Sequence, residues 1–285
     1  MKLKYKEAVA GYVFALPSIV GFIVFFAAPF LVSLYYCFTK GISGTEFVGL
    51  DNFIDLLNAE SFQLAAKNTL KFNIVSVPTI IIVSLLVAMG LNGKLKSVSY
   101  FRTFFILPLV IPISSVILVW QIFFSNNGIM NGFINIFGLQ AVRWLDSEWV
   151  FYILVLLYIW KNCGYNMILF LAGLNSIPRE YYEAAEIDGA GSFICFRYIT
   201  LPFLVPTTFF VFIISMINSF KVFREAYLLG GSYPHFDIYM LQHFINNNFS
   251  NLNYQRLCTA AFLVLVVIVV LTSVFYKVEN KYGKN

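Results

Sequence analysis

Charged side chains are scarce in this chain. Lys, Arg, Asp and Glu make up 12% of its 285 residues, about half the ~25% of an ordinary soluble domain. Histidine occurs only as His235 and His243, so no H-E-x-x-H zinc site exists. The four cysteines, Cys37, Cys163, Cys195 and Cys258, are scattered without a C-x-x-C pair. They support neither a disulfide framework nor a metal site and read as small packing residues. The sequence also lacks Gly-x4-Gly-Lys-Ser/Thr, so the chain does not cradle ATP phosphates in a P-loop.

What abounds is apolar surface. Hydrophobic residues make up 60% of the chain, and Phe alone occurs 32 times. A single soluble core of this length cannot hide that much apolar area, and such a composition is the opposite of a disordered one. Runs of about 20 apolar residues, enough to cross the hydrocarbon as helix, recur at 12–38, 70–91, 101–124, 150–174, 201–223 and 257–276. Barrel strands alternate in and out over ~10 residues, whereas Ala261–Thr272 is apolar on every face. The expected class is therefore all-α, a polytopic membrane protein with six spans in one domain over 1–285.

Basic residues orient the spans. Segments 1–11, 92–100, 175–200 and 277–285 hold 10 Lys or Arg in 55 residues, among them Lys94, Lys96 and Lys284; segments 39–69, 125–149 and 224–256 hold 5 in 89. The first set belongs in the cytoplasm, with both termini inside. The net charge of +5 is then an orientation signal, and no nucleic-acid partner is implied. The apolar run after Lys2, Lys4 and Lys6 exceeds the ~7–15 residues of a signal-peptide core, so an uncleaved first span is expected.

Catalysis lacks parts. Gly41-Ile42-Ser43-Gly44 matches the G-x-S-G of intramembrane serine proteases, but it lies outside the first span and no span holds a histidine base. It reads as a chance loop match. All 14 acidic residues fall outside the six ranges, which argues against carriers that relay protons through intramembrane carboxylates. A sodium site of backbone carbonyls remains open. Outside the spans, Asp51–Leu57 reads as a short surface helix opened by a capping residue, and Gly230–Pro234 as a turn.

The longest cytoplasmic loop, 175–200, reads as helix, turn, helix. Pro178 suits a first helical turn, Glu180, Glu183, Ala184, Ala185 and Glu186 favour helix, and Gly189 and Gly191 permit a left-handed backbone. An acidic helix on a basic face suggests a docking surface for a basic partner.

The spacing Glu183-Ala184-Ala185, three residues, Gly189, nine residues, Ile199, Thr200, Leu201-Pro202 resembles the EAA loop of membrane subunits of bacterial ABC importers. Asp188-Gly189-Ala190, Phe47–Phe53, Arg102–Pro108 and Gly230-Gly231 extend the likeness. They resemble the carbohydrate permeases of maltose and glycerol-3-phosphate type, first-subunit branch. The Gly-Gly-Ser-Tyr-Pro after span five departs from the usual G-G-G-P, and the extra spans of the maltose subunit are absent.

The resemblance implies a type I importer permease fold in the bacterial cytoplasmic membrane. It also implies a second homologous permease subunit, two ABC ATPase subunits that use ATP and magnesium, an external solute-binding protein, and surrounding lipid. The chain itself would be a non-catalytic subunit without cofactor or metal. Glu183, Ala184, Ala185, Asp188 and Gly189 would form the ATPase-coupling element, with Glu183 in the ATPase cleft and Gly189 at the turn.

For the solute path, polar and aromatic groups inside the spans are the candidates: Trp120 and Gln121 on span three, Lys161 and Asn162 on span four, and Asn218, Phe220 and Lys221 on span five. Interhelical hydrogen bonding and lysine snorkelling are the alternative uses of these groups. A sugar or oligosaccharide is the expected cargo. The other readings are an importer for a non-sugar solute such as glycerol-3-phosphate or a polyamine, and a self-sufficient secondary carrier.

Overall fold

The computed structural model describes residues 2–41, 45–92 and 98–282. Lys94, Lys96, Lys284 and the Ile42-Ser43-Gly44 part of the serine-protease look-alike lie outside them. In chain order, α1 (Lys2–Phe22) and α2 (Ala28–Cys37) are joined by a π turn, Ile23–Ala27. A two-stranded antiparallel hairpin follows, β1 (Thr39–Lys40) with β2 (Glu46–Phe47), and then α3 (Asp51–Leu57) and α4 (Glu60–Leu91). Next come α5 (Val98–Val110), α6 (Ile113–Phe124), α7 (Ile129–Ile136) and α8 (Trp149–Asn175). After these are α9 (Arg179–Ile187), α10 (Ser192–Cys195), a second π turn at Phe196–Thr200, α11 (Leu201–Phe220) and α12 (Phe223–Gly230). Last are α13 (Leu241–Ser250) and α14 (Tyr254–Tyr282).

Among the described residues six helical stretches are long and apolar enough to span: Ala10–Cys37, Glu60–Leu91, Ile113–Ile136, Trp149–Asn175, Ser192–Gly230 and Tyr254–Val274. Their number is the one expected, but three ranges differ. The second begins at Glu60 and not at 70, so that Glu60, expected outside the spans, falls within it. The range 101–124 is broken at Pro112, which donates no N–H and takes an extended ψ of 128°, so α5 ends before it and α6 restarts after it. Span five continues past 223 into α12, so Glu225 lies inside an apolar stretch and not outside the spans as expected.

Both π turns end two residues before a proline, Pro29 and Pro202. A proline ring clashes with the carbonyl four residues back, here that of Phe25 or Tyr198. A widened turn at that carbonyl accommodates the ring without breaking the helix.

Two compact units form, one of Met1–Phe62 with Ile245–Val267, the other of Gln63–Phe244 with Ile268–Asn285. In the first, the Asn52 amide donates to the carbonyls of Cys37 at 3.0 Å and Thr39 at 2.9 Å. Phe53 packs between Phe38 and Phe262. The helix over Asp51–Leu57 forms with the expected bounds, but its N-cap position is Leu50 and no side chain caps it.

The second unit has two apolar cores. One joins Phe72, Phe151, Leu154 and Tyr158 with Val222, Ala226 and Ile238; the other joins Ala88, Met167, Phe170, Leu171, Leu204 and Val211. Glycines let its helices approach closely: a Cβ at Gly164 would lie 1.8 Å from the Phe105 carbonyl oxygen. Polar ties join α8 to α11, with Tyr158 Oη donating to the Ser215 carbonyl at 2.6 Å and Asn166 Nδ2 to Ser215 Oγ at 2.8 Å. Asn131 organises the loop after α7: it donates to the Val142 carbonyl and accepts from Val142 N–H and Trp144 Nε1.

Candidate functional site

The loop over 175–200 folds as helix, turn, helix as the sequence predicts, except that Pro178 is the extended N-cap residue before α9 and not part of its first turn. Gly189 has φ +72°, and its N–H donates to the Glu186 carbonyl at 3.0 Å while Ala190 N–H donates to that of Ala185 at 2.8 Å. These two bonds make a Schellman motif, which ends α9 sharply. A Cβ at Gly189 would meet nothing within 4 Å, so the backbone alone demands glycine there. Gly191, expected to share that role, keeps a negative φ of −74°. Two tyrosines fasten the helix: Tyr181 packs against Phe203 with centroids 5.0 Å apart and the rings tilted by 53°, and Tyr182 Oη hydrogen-bonds Thr200 Oγ1 at 2.8 Å. The opposite side is bare, with Glu180, Glu183, Ala184 and Glu186 exposed and Ile187 87% exposed. Ala185 is half-buried and Asp188 forms the exposed C-cap.

A second feature lies where α11 passes into α12. A cavity of about 250 Å³ there is lined by Tyr158, Lys161 and Asn162 of α8 and by Leu109. Asn218, Lys221, Val222, Arg224 and Glu225 complete its wall. Four of the seven residues expected along the solute path are thus brought together: Lys161, Asn162, Asn218 and Lys221. Lys161 is held by Glu225, Nζ to Oε1 at 2.5 Å, with the lysine side chain 22% and the glutamate 6% exposed. A lone ammonium at this depth costs ~2.5 kcal/mol or more, and the carboxylate offsets that. Asn162 Nδ2 donates to the Tyr158 carbonyl at 2.9 Å.

The other three fall elsewhere. Gln121 Nε2 donates to the Leu228 carbonyl at 3.0 Å, a helix-to-helix tie. Trp120 faces Trp160, centroids 6.2 Å apart, across a separate apolar pocket with Phe123, Phe124 and Leu156. Phe220 is half-buried and does not line the cavity. The sequence reading missed Glu225 and Arg224. The signal available was their spacing, since Glu225 stands one helical turn beyond Lys221.

A model of binding-protein-dependent transport system inner membrane components matches residues 80–282. The chain belongs to this family. It is a multi-pass membrane protein of the same kind as its relatives. A probable ABC transporter permease protein of Bacillus subtilis, YesP, is 32% identical over 96% of this chain and 92% of its own length. The arabinooligosaccharides transport system permease protein AraP of Bacillus subtilis is 37% identical over 80% of this chain and 74% of its own. Among solved structures, a bacterial ABC transporter involved in the import of the acidic polysaccharide alginate matches with a TM-score of 0.87 at 26% identity, covering 100% of both chains.

Proposed function

We propose that this chain is one of two permease subunits of an ATP-driven importer in the bacterial cytoplasmic membrane, and that its cargo is a sugar or oligosaccharide delivered by an external binding protein. Relatives named for arabinooligosaccharides, trehalose/maltose and lactose transport support the cargo class. The basic-residue asymmetry supports cytoplasmic termini.

The observation that carries the mechanism is α9 itself. It is a short helix fastened by Tyr181 and Tyr182 on one side, bare and acidic on the other, and stopped by a glycine turn. Such a helix fits a cleft on an ATPase subunit. ATP and magnesium would act in that partner, and movement of the cleft would reach α11 and the π turn before it through the Tyr182–Thr200 and Tyr181–Phe203 contacts. Glu183→Lys turns attraction into repulsion, and losing one partner of a desolvated charge pair costs about 2–5 kcal/mol. Gly189→Val forbids the positive φ. Both variants should insert normally yet lose copurification of the ATPase or the stimulation of its hydrolysis by solute-loaded binding protein. Wild-type behaviour in both assays would remove the coupling role.

A further inference from the structure

The charges around the α11–α12 cavity do not balance. Lys161 and Glu225 cancel each other at 2.5 Å. Lys221 and Arg224 also line the cavity, and neither forms an ion pair among the described residues. Both side chains are exposed, so a solute at the cavity meets them directly. Low-dielectric walls focus such a field and favour an anion.

Glu225 adds an independent sign of a ligand. Its Oε1 accepts from Lys161, while Oε2 is buried with no hydrogen-bond partner, on a residue only 5% exposed. A buried carboxylate oxygen is seldom left without a donor. The cavity wall thus offers an acceptor still lacking its donor, the amides of Asn162 and Asn218, and two cations without counter-charge.

Resting on the reading of the chain as a saccharide-importer subunit, we propose that this cavity is a selectivity site for an anionic saccharide. A ring hydroxyl donates to Glu225 Oε2, and a carboxylate or sulfate of the sugar pairs with Lys221 and Arg224. A neutral oligosaccharide satisfies the acceptor but leaves the cations unmatched.

The test uses the complete importer in proteoliposomes, with its partner permease, ATPases and binding protein. ATP-driven uptake is measured for a labelled oligogalacturonate, a sulfated oligosaccharide and a neutral oligosaccharide of the same length. Wild type should favour one of the two anionic probes over the neutral one by about tenfold or more, and which one identifies the anion. Lys221→Gln with Arg224→Gln should cut that preference by about tenfold, while Lys221→Arg keeps it. Equal or faster uptake of the neutral probe by wild type, or a preference unchanged in the double variant, overturns the proposal and leaves the importer reading standing. ATP-dependent uptake of none of the three overturns the saccharide reading itself, and this proposal with it.

Discussion

Lys161 Nζ and Glu225 Oε1 stand 2.5 Å apart, joining the middle of α8 to the first turn of α12. Removing one partner of a buried pair strands the other charge, which costs about 3–5 kcal/mol, whereas replacing both by apolar groups is far milder. Lys161→Met and Glu225→Gln should each lower the thermal midpoint of the detergent-solubilised protein, read by size-exclusion after heating. Lys161→Met with Glu225→Leu should recover most of the loss. Additive losses in the double variant would mean that the two groups act separately.

Glycine contacts give a ranking. A Cβ at Gly164 would meet the Phe105 carbonyl oxygen at 1.8 Å, which is backbone and does not yield without moving α5. At Gly173 the nearest atoms are side-chain ones, Thr207 Oγ1 at 2.5 Å and Leu204 Cδ2 at 2.9 Å. Gly164→Ala should therefore destabilise by about 1–3 kcal/mol or more and Gly173→Ala by less. Thermal midpoints measured side by side decide the order.

His243 is fully buried among Phe223, Tyr227 and Tyr239, and its Nδ1 accepts the Met240 N–H at 3.1 Å. Burial pushes its pKa from 6.5 down to about 4. Above pH 6.5 neither the folded nor the unfolded chain protonates this ring. Below it the unfolded chain takes up a proton that the folded chain refuses, so stability falls as pH drops from about 6.5 to about 4, by roughly 3 kcal/mol in all. His243→Asn keeps an acceptor for Met240 and should flatten that part of the curve. Identical pH profiles for the two proteins would refute the assignment.

Sidedness can be read with single cysteines. Ser192 and Asp146 are both exposed. Ser147, adjacent in sequence, has its Oγ buried and is the poorer probe. In a background lacking the native cysteines, Asp146→Cys should react with an impermeant maleimide on intact cells, and Ser192→Cys only after the membrane is opened. Labelling of Ser192→Cys from outside would reverse the topology.

Much was legible in the residues because the physics behind it is local. Apolar runs of ~20 residues specify spans whatever they pack against. The left-handed turn at Gly189 and the helix before it follow from glycine at a fixed offset from Glu183-Ala184-Ala185. The break at Pro112 was present in the sequence too, but proline also sits inside α1, α4, α5 and α11 without ending them. In a membrane, neighbouring groups decide whether a proline breaks a helix.

The sequence by itself determined that this is a six-span membrane protein with a protruding acidic helix between spans four and five, since composition, periodicity and motif spacing need no third dimension. Only the tertiary structure decided which polar groups meet. Trp120 and Lys161 looked equivalent as polar or aromatic breaks in apolar runs, yet one packs on Trp160 in an apolar pocket and the other pairs with Glu225, 64 residues away, at a cavity. Partnership at that separation depends on how α8 rotates against α11 and α12. That rotation follows from Gly173 against Leu204 and Thr207 and from the Tyr158 and Asn166 bonds to Ser215, contacts that exist only once the helices have packed.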